Sequence, residues 1–328
     1  MVVVLNQTEV MLLLEMKEAI AIIEEAFVEL ANKTAVHPLR QSIASKKHKG
    51  AVLFMPSYLS GMESLAVKIV SVYPENPKMY EMPTVSALVV LIDSKTGAPL
   101  AVMDGGYLTA IRTGAVSGVA TKYLARKDAS IAAIIGAGAQ ARTQLQAVCA
   151  VRDIEEAKVY DIMTRASKNY AKEMSKTLGI SVEPARSSKE AMKEADIICT
   201  ASTSKVPVFD GDWLIEGAHI NAIGAFTPET RELDTKTIKK SKVVVDSIEA
   251  ALAEAGDVII PMELGEIDER HIYADLGEIV TGRKQGRVSM EEITVFKSVG
   301  LAIQDAAAAL IVYRNAVKER KGVEIKLT

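Results

Sequence analysis

The chain has little of several things. Its 328 residues include two cysteines, four histidines and one tryptophan, and aromatic residues make up 5%. Cys149 and Cys199 fall in an apolar helical segment and an apolar strand segment. They read as small buried residues rather than as a disulfide. His37, His48, His219 and His271 are scattered without ligand spacing, so no metal is expected. Charge of one sign is missing too. A net charge of −3 gives no electrostatic footprint for nucleic acid or an anionic membrane. The longest apolar runs, such as 87–92 and 306–312, fall far short of the roughly 20 residues that span a bilayer. The opening MVVVLNQTEV shows no basic stretch and no cleavage site, so no secretory signal is read. No repeat, low-complexity tract or disordered linker is visible. These absences point to a cytoplasmic protein whose partner is a small molecule, with neither nucleic acid nor membrane. What the chain does have is 49% hydrophobic residues, enough for two domains with sizeable cores.

Periodicity divides the chain. Residues 2–5 read as a strand, and 16–31 as a helix with Ile20, Ile23, Phe27 and Leu30 on one face. Further strands are expected at 50–55, 65–72, 86–92 and 99–103, with a hairpin turn at Asp93-Ser94-Lys95-Thr96-Gly97. Residues 1–104 thus read as an antiparallel sheet with helices. A small-residue helix follows at 113–124. A strand–helix alternation then begins, with strands at 131–135, 157–161, 195–200, 218–223 and 242–246. That rhythm predicts a doubly wound parallel sheet. The segment 300–318 reads as a long alanine-rich helix that packs on the first domain or on a second subunit, and the basic tail 318–321 as its solvated end.

The stretch SIAAIIGAGAQA at 130–141 is the most informative local pattern. An apolar strand ends in Gly136-Ala137-Gly138-Ala139-Gln140-Ala141 and a helical segment follows, the setting of a dinucleotide turn. Gly136 makes the tight turn, Gly138 lets backbone approach a pyrophosphate at the helix start, and Ala141 replaces the third glycine. Asp161 closes the next strand. A carboxylate there accepts both ribose hydroxyls and repels a 2′-phosphate, which favours NAD(H); the plainer reading is a turn aspartate. Arg165, close by, leaves NADP(H) open as a second cofactor. The small-hydroxyl loop Cys199-Thr200-Ala201-Ser202-Thr203 and the strand end at 219–224 continue the series, though each alone reads as an ordinary turn.

Some polar residues look misplaced. Lys68 interrupts Leu65-Ala66-Val67-Lys68-Ile69-Val70, and alternation sets it on one face with Ala66 and Val70. It is either on a solvated face or at a cleft wall, where burial lowers its pKa and suits it to proton transfer. Arg112 reads as standing at the start of the small-residue helix, either as a carboxylate or phosphate ligand or in a surface ion pair. Arg40, beside Pro38 and Leu39, reads as surface on its own.

In this order the pieces resemble the ornithine cyclodeaminase/mu-crystallin family. The matching segments are 55–58, Lys68 with Tyr73-Pro74-Glu75-Asn76-Pro77, Pro83-Thr84, Arg112-Thr113-Gly114-Ala115, 136–141, INAIGAFTPETRELD at 220–234 and FKSVGLAIQD at 296–305. The resemblance covers essentially the whole chain. It implies a Rossmann domain at 113–299 and an α+β domain for substrate binding and dimerisation built from 1–112 and 300–328, hence a homodimer. It also implies that Arg40, Lys68 and Arg112 hold a substrate carboxylate. Thr84, Arg112, Thr113, Gly136, Gly138, Ala139, Gln140, Asp161, Thr200, Ser202, Asn221, Ala222, Ile223 and Gly224 would contact the dinucleotide, with Ser298 and Val299 closing the nicotinamide side. Val299 also counts toward the substrate.

One departure sorts the subgroup. Cyclodeaminases, and the alanine dehydrogenase branch, carry an aspartate where this chain has Phe226, in Ala225-Phe226-Thr227-Pro228-Glu229. Phenylalanine cannot handle a side-chain amine or a water, but it packs over a compact apolar ring. The pattern resembles the ketimine reductases, which reduce cyclic imines such as Δ1-pyrroline-2-carboxylate to L-proline or Δ1-piperideine-2-carboxylate to L-pipecolate, with Lys68 as proton source or relay. The alternatives are an alanine dehydrogenase-type amino-acid dehydrogenase, the lyase ornithine cyclodeaminase and a non-catalytic, crystallin-like dinucleotide binder.

Overall fold

The strand Val2–Leu5 and the strand Val323–Ile325, from opposite ends of the chain, are antiparallel neighbours in one sheet. The computed structural model describes residues 1–327 and divides the chain into two units. One is Met1–Arg112 with the segment from Leu301 onward; the other is Thr113–Gly300.

The first unit is an eight-stranded sheet in the order Val323–Ile325, Val2–Leu5, Pro99–Asp104, Val85–Asp93, Ser64–Val72, Gly50–Leu59, Ala35–Val36, with Gln41–Ser45 also paired to Gly50–Leu59. The expectation of an antiparallel sheet needs one correction, since Val2–Leu5 runs parallel to Pro99–Asp104. Alternation fixes which side chains turn inward. Ser64, Ala66 and Lys68 are buried while Leu65, Val67 and Ile69 are half-buried. The helix Ala302–Glu319 lies on the Lys68 face. Ser57 Oγ donates to Ala302 O at 2.8 Å and Ser64 Oγ to Ala306 O at 2.9 Å. Its alanines 306–309 are fully buried, so the helix backbone comes close to the strands.

A second correction concerns the helix expected at 113–124, which begins at Gly105 and runs to Leu124. Two glycines look like breakers. Yet Asp104 Oδ1 accepts from Tyr107 N at 2.8 Å, and a Cβ on Gly105 would stand 2.8 Å from the Ala87 backbone. Gly105 serves close packing at a capped start, and a Cβ on Gly106 would meet only ordinary contacts. Arg112 therefore sits inside a helix, not at its positive end.

The Thr113–Gly300 unit is an all-parallel sheet of eight strands. Their order is Ser181–Pro184, Glu156–Tyr160, Ile131–Ile135, Ile197–Thr200, His219–Ala222, Thr294–Lys297, Lys242–Val245, Ile272–Asp275. Its inner strands Ile131–Ile135 and Ile197–Thr200 are apolar because both faces are covered. The chain winds outward from Ile131–Ile135 in one direction, then returns to build the other, so strand order reverses beside Ile131–Ile135. That crevice is where open α/β sheets bind ligands. Three strands escape the periodicity reading: Ser181–Pro184, Ile272–Asp275 and Thr294–Lys297. Each has four residues and at least one charged or proline residue, too short and too mixed to stand out. Among the described residues no helix is long and apolar enough to cross a membrane. Both cysteines are free, Cys199 buried and Cys149 only partly so.

Candidate active site

In the first unit three charged groups meet below the sheet. Lys68 is 2% exposed, paired across the strands with Met55 and Val89. Its Nζ lies 2.8 Å from Asp305 Oδ2, and the other oxygen, Oδ1, accepts from Arg112 Nε at 3.0 Å. Arg112 Nη1 also donates to Gln304 Oε1. Asp305 and Gln304 occupy the first turns of the Ala302–Glu319 helix and are buried. Burial first, then the Arg112 charge, brings Lys68 down to about 7 against the pull of Asp305; the Arg40 charge adds to the lowering. A lysine so placed exchanges protons near neutral pH. The solvated-face reading of Lys68 is thereby set aside, and the surface reading of Arg112 with it. Thr84, just before Val85–Asp93, is part-buried, its carbonyl accepting from Tyr73 N at 2.8 Å.

The second unit carries the glycine turn. Gly136 has φ +98°, and a Cβ there would stand 2.6 Å from Ala201 O. Its absence of side chain thus serves both the turn and the approach of the neighbouring strand's loop. Gly138 caps the helix Ala139–Val151 from an extended backbone, and a Cβ there would meet nothing within 4 Å. No protein atom requires that glycine; the room it leaves fits a pyrophosphate at the helix start. Arg142 Nη1 donates to the carbonyls of Ala137 at 3.0 Å and Gly138 at 2.9 Å. Asp161 stands just past Glu156–Tyr160. Its Oδ2 accepts from Ala137 N at 2.8 Å and its Oδ1 from Met163 N at 2.8 Å, which leaves each oxygen a lone pair for a ribose hydroxyl. Ala139 is exposed, and Gln140 is half-buried. Arg165 is exposed in the first turn of Thr164–Leu178.

Several residues expected to face the cofactor turn their polar atoms inward. Glu232, fully buried, accepts from Thr200 Oγ1 at 2.8 Å, Ser202 N and Oγ at 2.7 Å each, and Gly224 N at 2.7 Å. Burial, then the Asp257 charge, pushes its carboxyl up. Asp257 accepts from Glu232 N and Leu233 N at 2.7 Å and pairs with Lys297 Nζ at 2.8 Å. Asn221 is fully buried in its strand; its amide donates to Thr121 Oγ1 at 3.0 Å and its oxygen meets His219. Ser298 Oγ donates to Asp246 Oδ2 at 2.8 Å, as do Val299 N and Gly300 N at 2.9 and 2.8 Å. Thr200, Ser202, Asn221 and Ser298 thus have internal partners for their side chains, and the backbone of these loops is what faces outward most simply to a ligand. Ala222 is fully buried; Ile223 and Val299 are nearly so. Thr113 is buried, its carbonyl accepting from Gln144 Nε2 at 3.1 Å. Phe226 is 46% exposed on the loop after His219–Ala222.

Sequence reasoning missed Asp305, Gln304, Glu232, Asp257 and Asp246. One signal was available: Lys297 ends a short apolar strand much as Lys68 interrupts one, and a lysine in that position asks for a buried acid.

The profile of the ornithine cyclodeaminase/mu-crystallin family matches residues 1–320. A Δ1-pyrroline-2-carboxylate reductase from Bacillus cereus is 42% identical over 324 residues, 98% of this chain and 99% of that protein. The solved structure of Thermococcus litoralis Δ1-pyrroline-2-carboxylate reductase in complex with NADH and L-proline is 54% identical, with TM-score 0.96, and covers 98% of this chain and 100% of that one. An archaeal alanine dehydrogenase dimer with bound NAD is 41% identical, with TM-score 0.93, over 100% of this chain and 99% of that one. The chain is a member of the ornithine cyclodeaminase/mu-crystallin family.

Proposed function

We propose that this protein is an NAD(H)-dependent reductase of a cyclic imine bearing a carboxylate, Δ1-pyrroline-2-carboxylate or its six-membered homologue. The observation that carries the reading is the Lys68–Asp305–Arg112 cluster, a buried proton-exchanging amine beside a guanidinium. The two relatives named as reductases of Δ1-pyrroline-2-carboxylate support the substrate class. Bound NADH supplies the hydride that reduces the C=N carbon. Gly136, Gly138 and the Ala139–Val151 helix start take the pyrophosphate; Asp161 takes the ribose and disfavours a 2′-phosphate, with the exposed Arg165 leaving NADP(H) as a weaker second cofactor. Arg112 and Arg40 hold the substrate carboxylate, and Lys68 delivers the proton to nitrogen. Phe226 offers an aromatic face for a compact ring and no carboxylate for an ammonia or a side-chain amine. That favours the imine over pyruvate plus ammonia, the reaction class of the dehydrogenase relative, and over cyclodeamination. Loss of NADH absorbance with a panel of substrates tests this. Turnover of the cyclic imines should exceed that of pyruvate plus ammonia by on the order of a hundredfold. Equal or greater amination of pyruvate would overturn it.

We further infer a cytoplasmic homodimer. Both cysteines are free, which suits a reducing compartment. The sheet face opposite Lys68 is apolar and incompletely covered, with Leu65, Val67, Ile69 and Val90 half-buried and Ile43 and Leu88 exposed. A second copy of the same face would bury it. Sedimentation at monomer mass would refute the dimer.

A further inference from the structure

We propose that Asp305 is the positioning residue of the active site and holds the buried cluster one negative charge short, so that a substrate carboxylate completes it and keeps the proton on Lys68. The inference rests on the reading of a carboxylate substrate and assigns to that site a residue and a coupling of its own.

The count of charges comes first. Lys68 and Arg112 are cations, and Asp305 is the anion that touches both, at 2.8 and 3.0 Å. Lys68 is faced by Asp305 from the Ala302–Glu319 helix, by Arg112 from Gly105–Leu124, and by the Arg40 charge from the loop before Gln41–Ser45. The strands on either side bring the uncharged Met55 and Val89. Such a cluster, with water excluded, is costly while it lacks a counter-charge.

Gln304 supplies an independent sign. A guanidinium has only donors, so the Gln304 amide must present its oxygen to Arg112. Its Nε2 is left buried without an acceptor. A donor in that state waits for an oxygen. A carboxylate arriving here would meet it and would balance the second cation.

The chemistry follows. With the site empty, Lys68 loses its proton readily near neutral pH; with an anion beside it, the charged form is favoured. In the reductive step the C=N carbon gains the hydride and its electron pair. The C=N π bond breaks, and nitrogen gains the proton that leaves Lys68 Nζ. Substrate binding would therefore load the proton that its own reduction consumes, and solvent restores it after product leaves.

The test is Asp305→Asn, which keeps the shape and removes the charge. Asp305 holds the Lys68 proton on, so without it the alkaline limb of the turnover–pH profile should move down by about one unit or more. Turnover at about pH 8 should fall up to roughly tenfold for each unit of that shift, and at about pH 6 by much less. Ionisation of the imine is common to both enzymes, so the difference belongs to the protein. Asp305→Glu should return the limb toward its place. Loss by the same factor at both pH values would assign Asp305 a purely structural role and overturn the proposal. A second measurement uses the unmodified protein. Pyrrole-2-carboxylate, whose ring nitrogen does not titrate in this range, is added to the enzyme with NAD+ at about pH 8, by calorimetry in two buffers of different ionisation heat. Net proton uptake is expected; its absence overturns the coupling. Turnover of Δ1-pyrroline-2-carboxylate by the unmodified enzyme is the control. Its failure would sink the function, whereas normal turnover without proton uptake sinks only this inference.

Discussion

Two buried lysines sit in opposite charge balances. Lys68 shares one carboxylate, Asp305, with an arginine. Lys297 faces the reverse: Asp257 pairs with it at 2.8 Å, and Glu232 adds a second carboxylate close by. In the Lys297 network the inner oxygens are occupied. Glu232 takes four donors from the end of one strand and the loops after two, and Lys297 also donates to Ala225 O at 2.5 Å. In the Lys68 cluster an amide nitrogen has no acceptor. The first arrangement is closed and shapes loops. The second is open by one anion. Burial of charge alone does not mark a site; the imbalance does.

The sharpest way to break this comparison is to remove each amine. Lys68→Met should cut turnover roughly 10²- to 10⁴-fold, the usual range for a lost proton donor. Its thermal midpoint should hold or rise, because Arg112 and Asp305 remain as a matched pair. Turnover kinetics and a melting curve read both, and a collapse of the midpoint would erase the contrast. Lys297→Met should do the opposite, stranding two buried carboxylates. A loss of about 3–5 kcal/mol by urea titration is expected. Unchanged stability would show that the network does not need its cation.

A third effect is smaller and depends on pH. His219 lies fully buried between Thr294 Oγ1 at 2.9 Å and Asn221 Oδ1 at 3.2 Å. Burial, then the Arg287 charge, brings it down to about 3 from its ordinary 6.5. Between those values the unfolded chain takes a proton that the folded chain refuses, so stability falls as pH drops through that window. At about pH 5 the cost is on the order of 2 kcal/mol. His219→Gln should flatten that slope in denaturation curves run across the window; an unchanged slope would place the acid sensitivity elsewhere. Lys68 acts on the alkaline side. Its proton is lost near 7 when folded and near 10.5 when unfolded, so stability rises with pH between the two.

The smallest change separates the two glycines of the turn. Gly138→Ala should weaken NADH binding roughly tenfold and leave stability within about 1 kcal/mol, since its backbone is extended and its Cβ would enter open space. Gly136→Ala should destabilise the fold, because φ is +98° and Ala201 O stands in the way. Fluorescence titration with NADH and a melting curve distinguish them. Equal effects on both would deny Gly138 its ligand role.

What was legible in the sequence was what is local. The strand, glycine turn and helix at 131–151, and Asp161 one strand later, follow from neighbours in sequence. Lys68 was legible as a misfit in an alternating strand. Asp305 was not, although it touches Lys68, because that contact exists only once the Ala302–Glu319 helix lies on the sheet. The same holds for Thr200 and Ser202. Their hydroxyls look free until Glu232, from a distant loop, claims them. Helix starts and short strands suffered for a different reason. Gly105 and Gly106 mimic a break, and the four residues Thr294–Lys297 end in a charge whose partner is remote in the chain.

The sheet that joins Val2–Leu5 to Val323–Ile325 also sets an order of events during synthesis. Lys68 and Arg112 leave the ribosome with the whole Thr113–Gly300 unit still to come, and Asp305 emerges after it. The dinucleotide unit is a continuous stretch and can fold as it appears. The Met1–Arg112 unit waits for the Ala302–Glu319 helix to cover its sheet and supply the carboxylate that its two cations share. A nascent chain would thus complete its glycine turn before the carboxylate shared by Lys68 and Arg112 has been made.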